Sequence, residues 1–386
     1  MSFLPFFLIL LVSVLFSGAF RRFHLPWVLA LIVAGMTVGP HGFALFELSS
    51  EIEFMGQVGL IFLMFMAGLE TELSSFREFG KGILIIVLLN GLIPLGVGFG
   101  IGLLFGFPLV SALLLGIIFM SSSVAVIIPA LEETGLIKKK LGRSIVASTI
   151  IVDVVSLVFL SVLLQTIKPV TELPLVSFYF ILALILISLG YGLPKIRSLI
   201  PHKKDEKDLF ESEVRIIFLM LIGTVVTFEF LGLHPIIAGF FSGLVLSDSI
   251  KSEILMEKLR TMSYGLFIPV FFIIVGFNTD LGVLISGGTT FGLLLVILLG
   301  SILSKYGSGW LGARLAGFSK RDASIVAVAT TPQLSTTLAV VYTAVELDLL
   351  KENLVVSMVT LSVVTTVLAP FALRQIKPTW STIITP

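Results

Sequence analysis

The stretch SIVASTIIVDVVSLVFL, residues 144–160, combines two features that decide how this chain folds. Its apolar length is close to the roughly 20 residues that an α-helix needs to cross a bilayer. Near its centre lies one carboxylic acid, Asp153. A charged side chain at that depth costs about 2.5–3.5 kcal/mol on insertion scales. The stretch therefore predicts a membrane-spanning helix whose central acid serves a function.

The composition extends this prediction to the whole chain. Of 386 residues, 56% are hydrophobic and 13% are charged, which is too little charge for the surface of a soluble domain. Long apolar runs recur from end to end, so we expect an all-α polytopic membrane protein in which residues 1–386 form one membrane transport unit. Cysteine is absent, which excludes thiolate chemistry. Four histidines show no metal-ligand spacing: His24, His41, His202 and His234.

Other functional classes lack their sequence signals. No basic patch with interleaved aromatic residues lies outside the loops, so we expect no nucleic-acid partner. No nucleophile–base set, metal cluster or phosphate-binding loop is evident, so the sequence does not predict an enzyme, and we expect no cofactor. A receptor would need an output domain, which the sequence does not show.

Glycine, proline and charge clusters divide the chain into about thirteen predicted spans. They lie near residues 3–20, 25–40, 52–69, 82–105, 109–131, 143–165, 174–193, 214–231, 233–247, 264–279, 289–312, 322–345 and 353–373. With this count, 22 of the 25 Lys and Arg residues fall in one set of loops, and only Lys168 and Lys351 fall in the other. Positive charge collects on the cytoplasmic side, so we expect the N-terminus outside and the C-terminus inside, in the plasma membrane.

A weak internal repeat appears when the sequence is shifted by 208 residues. LPWVLALIVAGMTVG (25–39) then faces LHPIIAGFFSGLVLS (233–247), and GLETEL (68–73) faces GFNTDL (276–281). Matched spans run in opposite directions, which is typical of transporters built from inverted repeats. The predicted arrangement is 6+1+6: a first repeat over 1–165, a linker helix at 174–193 and a second repeat over 214–373. We interpret the charged loop 194–213 as a solvated connector or, alternatively, a regulatory contact.

The remaining positive charge is Lys305, which lies at the centre of another predicted span. One acid and one base at this depth most simply pair, and the alternative to a functional pair is a salt bridge that only fixes packing. Thr149 and Ser156 fall on the same helix face as Asp153, where their hydroxyls could join the carboxylate in binding a hard monovalent cation. Alternatively, these hydroxyls only bond their own backbone.

Two predicted spans contain polar interruptions. FMSSSVAVIIPAL (119–131) places Ser121, Ser122 and Ser123 ahead of a proline, and ATTPQLSTTLAVV (329–341) carries another proline among hydroxyl and amide side chains. Proline removes a helical hydrogen bond, and unwound backbone at membrane depth is tolerated where it lines a cavity or is buried in protein. We expect both breaks to lie near Asp153 and Lys305. The alternative is two helices that are merely kinked.

Taken together, these segments resemble bacterial sodium/proton antiporters of the monovalent cation:proton antiporter superfamily. The resemblance rests on LPWVLALIVAGMTVGP (25–40), GLIFLMFMAGLETEL (59–73), GLHPIIAGFFSGLVLS (232–247) and YGLFIPVFFIIVGFNTDL (264–281). It implies thirteen helices and a homodimer in the lipid bilayer. It also implies two broken, crossing helices in a core domain, mainly 82–165 and 289–373, beside a dimerisation domain.

The resemblance also assigns site residues. It places the cation- and proton-binding acid, and so the Na+ ligand, at Asp153, and the core lysine at Lys305. With the hydroxyls above, the predicted binding set is Asp153, Thr149, Ser122, Ser123 and Ser156, and the predicted lining of the broken helices is Ser121, Thr331, Gln333 and Ser335. Electrogenic relatives often carry two adjacent acids, whereas the first of these positions is Val152 here. No soluble nucleotide-binding regulatory domain is expected, because the chain ends soon after the last predicted span.

The predicted function is antiport by alternating access, in which a monovalent cation is exchanged for protons and cellular pH is controlled. Sodium is the first expectation, with lithium and potassium as alternatives. A potassium/proton efflux antiporter and a cation channel without proton coupling are the competing interpretations.

Overall fold

The computed structural model describes residues 3–22, 26–70, 80–137, 139–167, 212–230, 235–247, 250, 252–280, 282 and 288–376, with isolated helical positions at 180, 184 and 188. Regular secondary structure in this described part of the chain is entirely helical, which confirms the predicted class. Apart from those isolated positions, the predicted linker helix 174–193 lies outside the described residues. Most of the loop that follows it does too.

The first half of the chain forms seven described helices, whose positions agree with the predicted spans. They are α1 Leu4–Arg22, α2 Trp27–Val38, α3 Ser50–Leu69, α4 Lys81–Leu104, α5 Leu109–Met120, α6 Val124–Glu133 and α7 Lys140–Ile167. The second half is also helical. Its described helices are α8 Ser212–Phe230, α9 Pro235–Ser247, α10 Glu253–Met262, α11 Ile268–Phe277, α12 Gly288–Leu315, α13 Lys320–Ala329, α14 Ser335–Glu346 and α15 Glu352–Gln375.

Two predicted spans are each split into two helices. The predicted span 109–131 becomes α5 and α6, and the predicted span 322–345 becomes α13 and α14. The first break lies at 121–123, whereas Pro129 lies inside α6. Proline is therefore not what opens this helix. The break instead coincides with the three serines, each of which makes a hydrogen bond to a group outside this span: Ser121 to Thr337, Ser122 to Asp153 and Thr330, and Ser123 to Pro332.

The predicted span 264–279 begins earlier than expected. Helix α10 starts at Glu253 and continues through a π-helical turn, Ser263–Phe267, into α11. The predicted loop before residue 264 is therefore mostly helical. Ser252 explains the early start, because its side chain accepts a hydrogen bond from the backbone N–H of Leu255 and caps the helix.

Within the described residues, seven helical segments are long and apolar enough to cross a membrane. They are Leu4–Arg22, Ser50–Leu69, Lys81–Leu104, Lys140–Ile167, Glu253–Phe277, Thr290–Leu315 and Glu352–Gln375. Three shorter apolar helices accompany them: α2, α5 and α9. The multi-span prediction is confirmed at this coarser level.

The chain divides into two compact units, the first comprising Met1–Ser49, Glu78–Leu160 and Phe272–Pro386. In this unit α4 packs against α5 and α12, and α13 packs along α12. Helices α2 and α11 meet backbone to backbone: a Cβ on Gly35 would overlap the carbonyl oxygen of Ile273, and one on Gly276 would overlap that of Ile32. Only glycine permits so close an approach.

The second unit comprises Ser50–Arg77 and Ser161–Phe271, and in it α3 packs against α9. The contact is again made by glycine on each helix. A Cβ on Gly243 would overlap the carbonyl oxygen of Phe65, and one on Gly68 would overlap that of Phe240.

Candidate ion-binding site

The carboxylate of Asp153 lies in α7 with 8% of the residue exposed, and it accepts two hydrogen bonds from outside its own helix. The backbone N–H of Ser122 donates to Oδ1 at 2.8 Å, and the hydroxyl of Thr336 donates to Oδ2 at 3.3 Å. The first donor comes from the break between α5 and α6, and the second comes from the first turn of α14. An ionised carboxylate offers about four acceptor positions, so the two bonds leave room for further cationic or donor groups.

The two hydroxyls predicted on the same face of α7 behave differently. Ser156 donates its hydroxyl proton to the backbone carbonyl of Asp153 at 2.7 Å, so it bonds its own helix rather than the carboxylate. Helical Ser often makes this local bond. The Thr149 hydroxyl is buried and has no hydrogen-bond partner within the described structure. The Ser156 hydroxyl is thus held by its bond to the backbone, whereas that of Thr149 can turn toward a ligand.

The first break, 121–123, is held open by groups in and on either side of the second. The Ser122 hydroxyl donates to the carbonyl of Thr330 at 2.9 Å, and the Ser123 N–H donates to the carbonyl of Pro332 at 2.7 Å. The Ser121 hydroxyl shares a 2.7 Å hydrogen bond with that of Thr337. The buried Ser123 hydroxyl makes no hydrogen bond in the described part of the chain.

The second break spans residues 331–334 and reaches back to the first. The Gln333 side-chain amide donates to the carbonyl of Phe119, at the end of α5, at 2.9 Å. The Thr331 hydroxyl donates to the carbonyl of Ala327 at 2.8 Å, and Ser335 begins α14 as a buried residue. The structure thus brings together both predicted breaks, although Thr331 serves to close the end of α13.

Lys305 does not form the expected ion pair with Asp153. Its fully buried ammonium group donates to neutral oxygens: the side-chain oxygen of Asn90 at 3.2 Å, the Ser122 hydroxyl at 2.7 Å and the carbonyl of Met120. The Asn90 carbonyl lies farther away, at 3.5 Å. Three acceptors match the three protons of an ammonium group.

The physical reason for this correction is the position of Ser122. Its hydroxyl accepts from Lys305, and its backbone N–H donates to Asp153. Ser122 therefore lies between the two charged groups. The first break supplies hydrogen-bond partners to both of them, so neither needs the other as a direct partner. A direct pair at this depth would have had to offset the desolvation of both ions.

Sequence reasoning missed Asn90, the neutral partner of the lysine. This buried residue of α4 places its amide nitrogen 3.0 Å from the Lys305 carbonyl and 3.2 Å from the hydroxyls of Ser308 and Thr330. It thus ties α4 to both α12 and α13. A signal was present, because Asn90 is a lone amide in the otherwise apolar and glycine-rich run GILIIVLLNGLIPLGV (82–97).

This arrangement gives one buried acid with unused acceptor capacity and one buried base whose donors are all engaged. Two further buried oxygens have no hydrogen-bond partner among the described residues: the hydroxyl of Ser123, next to Ser122, and that of Thr149, one helical turn before Asp153 in α7. Carboxylate, hydroxyl and backbone oxygens are the ligands that hard cations prefer. The arrangement is therefore chemically suited to reversible binding of a proton or a small hard cation.

Comparison with known proteins agrees with this chemistry. The family model described as "Sodium/hydrogen exchanger, transmembrane" matches residues 7–376. The chain is similar to a protein named "Probable Na(+)/H(+) antiporter 3" from Methanocaldococcus jannaschii, with 30% identity over 96% of this chain and 95% of that protein. It is 27% identical to a protein named "Na(+)/H(+) antiporter" from Enterococcus hirae, over 95% of this chain and 96% of that protein.

The fold has a counterpart among solved structures. The structure of the sodium proton antiporter MjNhaP1 from Methanocaldococcus jannaschii at pH 8 matches with a TM-score of 0.72 and 19% identity, covering 97% of this chain and 95% of that chain. Because the family model matches nearly the entire length, the chain belongs to the transmembrane sodium/hydrogen exchanger family.

Proposed function

We propose that this protein exchanges sodium ions for protons across the membrane and that Asp153 carries each ion in turn. The observation that carries the proposal is the Asp153 carboxylate, which is buried beside two broken helices and accepts two hydrogen bonds from the described residues. A cation or a proton can each complete that coordination, and binding of one excludes the other.

Two hydroxyls are proposed to complete the sodium site. Ser123 and Thr149 hold buried oxygens without hydrogen-bond partners among the described residues. A buried polar atom without a partner costs free energy, and a bound cation would remove that cost. Ser122 is proposed to position the carboxylate through its N–H, and Ser156 to support the helix turn through its bond to the Asp153 carbonyl.

Exchange follows from the cost of burying charge. Moving the empty, ionised site through the hydrophobic barrier would cost several kcal/mol, whereas a neutralised carboxylate crosses at lower cost. Either a proton or a sodium ion neutralises Asp153, so the site moves when it is loaded. Sodium movement in one direction is then coupled to proton movement in the other, and the proposed mechanism needs no cofactor beyond the transported ions.

We propose that the movement is a displacement of a core, mainly 82–165 and 289–373, against a dimerising scaffold. Thirteen spans in a 6+1+6 inverted repeat supply this arrangement, with 174–193 as the linker helix. The glycine contacts support the repeat. A shift of 208 residues converts the Gly35–Ile273 contact into the Gly243–Phe65 contact, with the glycine and the carbonyl keeping their roles. The proposed assembly is a homodimer in lipid.

The proposed orientation places the N-terminus outside and the C-terminus in the cytoplasm of a cell bounded by the plasma membrane. The bias of Lys and Arg toward one set of loops supports it. In that membrane, exchange of sodium for protons would serve the control of cellular pH.

The test is a cation-driven pH change in proteoliposomes that contain a pH-sensitive dye. Sodium, lithium and potassium are added separately, and we expect the largest response to sodium. Asp153→Asn should leave no exchange above that of empty vesicles while the purified protein keeps its melting temperature. The matched control is Asp348→Asn, which removes a carboxylate from a loop position with a positive φ that Asn also adopts.

The alternatives predict different results. A larger response to potassium than to sodium would identify a potassium/proton antiporter. Sodium flux without a pH change would identify a channel. Full exchange by Asp153→Asn would refute the assignment of the site.

A further inference from the structure

Three metal-binding side chains that are remote in sequence meet in the first unit. They are His41 in the loop after α2, Asp280 after α11 and Glu352 in the first turn of α15. One ligand atom from each lies within 4.8 Å of those from the other two, and the His41 Nδ1 lies 3.3 Å from the Asp280 Oδ2. Sequence spacing alone had indicated no metal site at any histidine.

The position of His41 is fixed by a tight turn. The backbone N–H groups of Phe43 and Ala44 donate to the carbonyls of Thr37 and Gly39 at 2.8 and 2.9 Å, and Ala44 adopts a positive φ of 49°. These bonds fold the loop back on the end of α2, so the imidazole is presented from a constrained backbone.

Asp280 is held on the neighbouring helix end. Helices α2 and α11 touch at their ends, because a Cβ on Gly39 would overlap the backbone of Phe277. The N–H of Gly282 donates to Oδ1 of Asp280 at 2.7 Å, which leaves Oδ2 toward the histidine. His41 and Asp280 therefore both follow helix ends that are in direct backbone contact.

The ligand chemistry selects the class of cation. One imidazole nitrogen and two carboxylate oxygens suit zinc and similar divalent transition metals, whose bonds to these atoms are about 2.0–2.2 Å long. Ligand atoms around such an ion lie roughly 3–4 Å apart, so the 3.3 Å separation of His41 and Asp280 already fits. Glu352 is exposed and has freedom to complete the set.

We propose that His41, Asp280 and Glu352 form a divalent-cation site whose occupation slows ion exchange. The inhibitory part rests on the proposed function. Glu352 belongs to the proposed core 289–373, whereas His41 and Asp280 lie outside it. In the proposed orientation all three face the exterior. A metal ion bound by all three would link the moving core to the stationary scaffold. It would thereby stabilise the one conformational state in which the three ligands are close enough to bind it.

Binding is measured first, on the purified protein in detergent with zinc chloride as the probe and titration calorimetry as the readout. We expect one zinc ion per chain. His41→Ala and Glu352→Gln should each weaken binding by roughly 100-fold, because each removes a direct ligand. Asp348→Asn, which removes a carboxylate from the loop that precedes α15, should leave zinc binding unchanged.

Exchange is measured next in proteoliposomes, with zinc outside and then with an impermeant chelator. Zinc should slow sodium-driven proton movement by about tenfold or more when its concentration is about ten times the dissociation constant or higher. The chelator should restore the rate. His41→Ala should exchange at the wild-type rate without zinc and should resist inhibition.

Each opposite result overturns a named part. Equal zinc affinity in wild type and His41→Ala would refute the site. Zinc that binds at the triad without slowing exchange would refute its role in regulation. Absence of exchange in zinc-free wild-type vesicles would instead refute the proposed function, while the binding titration would still decide the site.

Discussion

The two broken-helix segments and the glycine-packed helix pairs are both buried, yet they are held by opposite means. At the breaks, backbone and side-chain polar groups of one interruption bond to those of the other, as between Ser123 and Pro332. In the α2–α11 and α3–α9 pairs, glycine lets one backbone touch another with no side chain between. Helices packed backbone to backbone cannot shift without overlapping, whereas polar groups at the breaks can exchange their hydrogen-bond partners. The difference separates a rigid framework from the site that we propose takes up and releases ions.

The largest expected effect concerns the glycine-packed helix pairs, the rigid part of this comparison. Gly35→Ala should lower the free energy of unfolding by about 2 kcal/mol or more, because the new methyl group meets a backbone carbonyl that cannot rotate away. Gly223→Ala is the matched control: it lies inside α8 with open space around it and should gain up to about 1 kcal/mol from helix propensity. Thermal unfolding in detergent measures both, and equal shifts in the two variants would contradict the glycine-contact account.

The next largest effect is expected at the polar groups beside the broken helices. Thr149→Val should raise the sodium concentration for half-maximal exchange by about tenfold, which corresponds to about 1.4 kcal/mol. Thermal stability should not fall, because the hydroxyl has no hydrogen bond to lose in the part of the chain that the structure describes. Thr343→Val also removes a buried hydroxyl that has no partner among the described residues, and it should leave sodium affinity unchanged. A loss of stability with unchanged sodium affinity would show that Thr149 has only a structural role.

A smaller loss is expected at Thr336, whose hydroxyl bond to Asp153 is long at 3.3 Å. Thr336→Val should weaken sodium binding by roughly threefold, at the low end of the range for a single hydrogen bond. Thr336→Ser keeps the hydroxyl and should restore the affinity. Failure of serine to rescue would mean that the methyl group, and not the bond, matters.

The last prediction concerns charge stoichiometry. Among the described residues, Lys305 donates only to neutral oxygens, so we expect it to release its proton when sodium binds, and two protons would then move per sodium ion. Asn90→Asp would give the ammonium an acid partner and hold its proton, which should reduce the ratio to one and remove the current. Sodium jumps on a solid-supported membrane measure this, with Asn90→Gln as control. A current-free wild type would contradict the assignment.

The sequence predicted most helices because apolar length is a local property that a single run such as 144–160 displays. It also located both breaks, since serines and threonines in an apolar span stand out. It misjudged Pro129, which α6 accommodates. The earlier start at Glu253 depends on a cap at Ser252, and a short polar helix is hard to distinguish from a loop.

The side chains that contact the buried charged residues could not be predicted from local sequence in the same way. Whether Lys305 meets Asp153 or Asn90 depends on how α4, α12 and the first break pack, and no spacing along the chain encodes that. The same holds for His41, whose acidic neighbours lie more than 200 residues away in sequence. Local pattern therefore indicated that Asp153 lies within a membrane span, and three-dimensional packing decided which groups surround it.

The central claim is that sodium and protons compete for the Asp153 carboxylate, and proton release tests it most directly. Sodium chloride is added to the purified protein in weakly buffered detergent solution, and the pH is followed. The account predicts acidification by the wild type, none by Asp153→Asn, and the wild-type response from Asp348→Asn. Equal proton release from wild type and Asp153→Asn would contradict it.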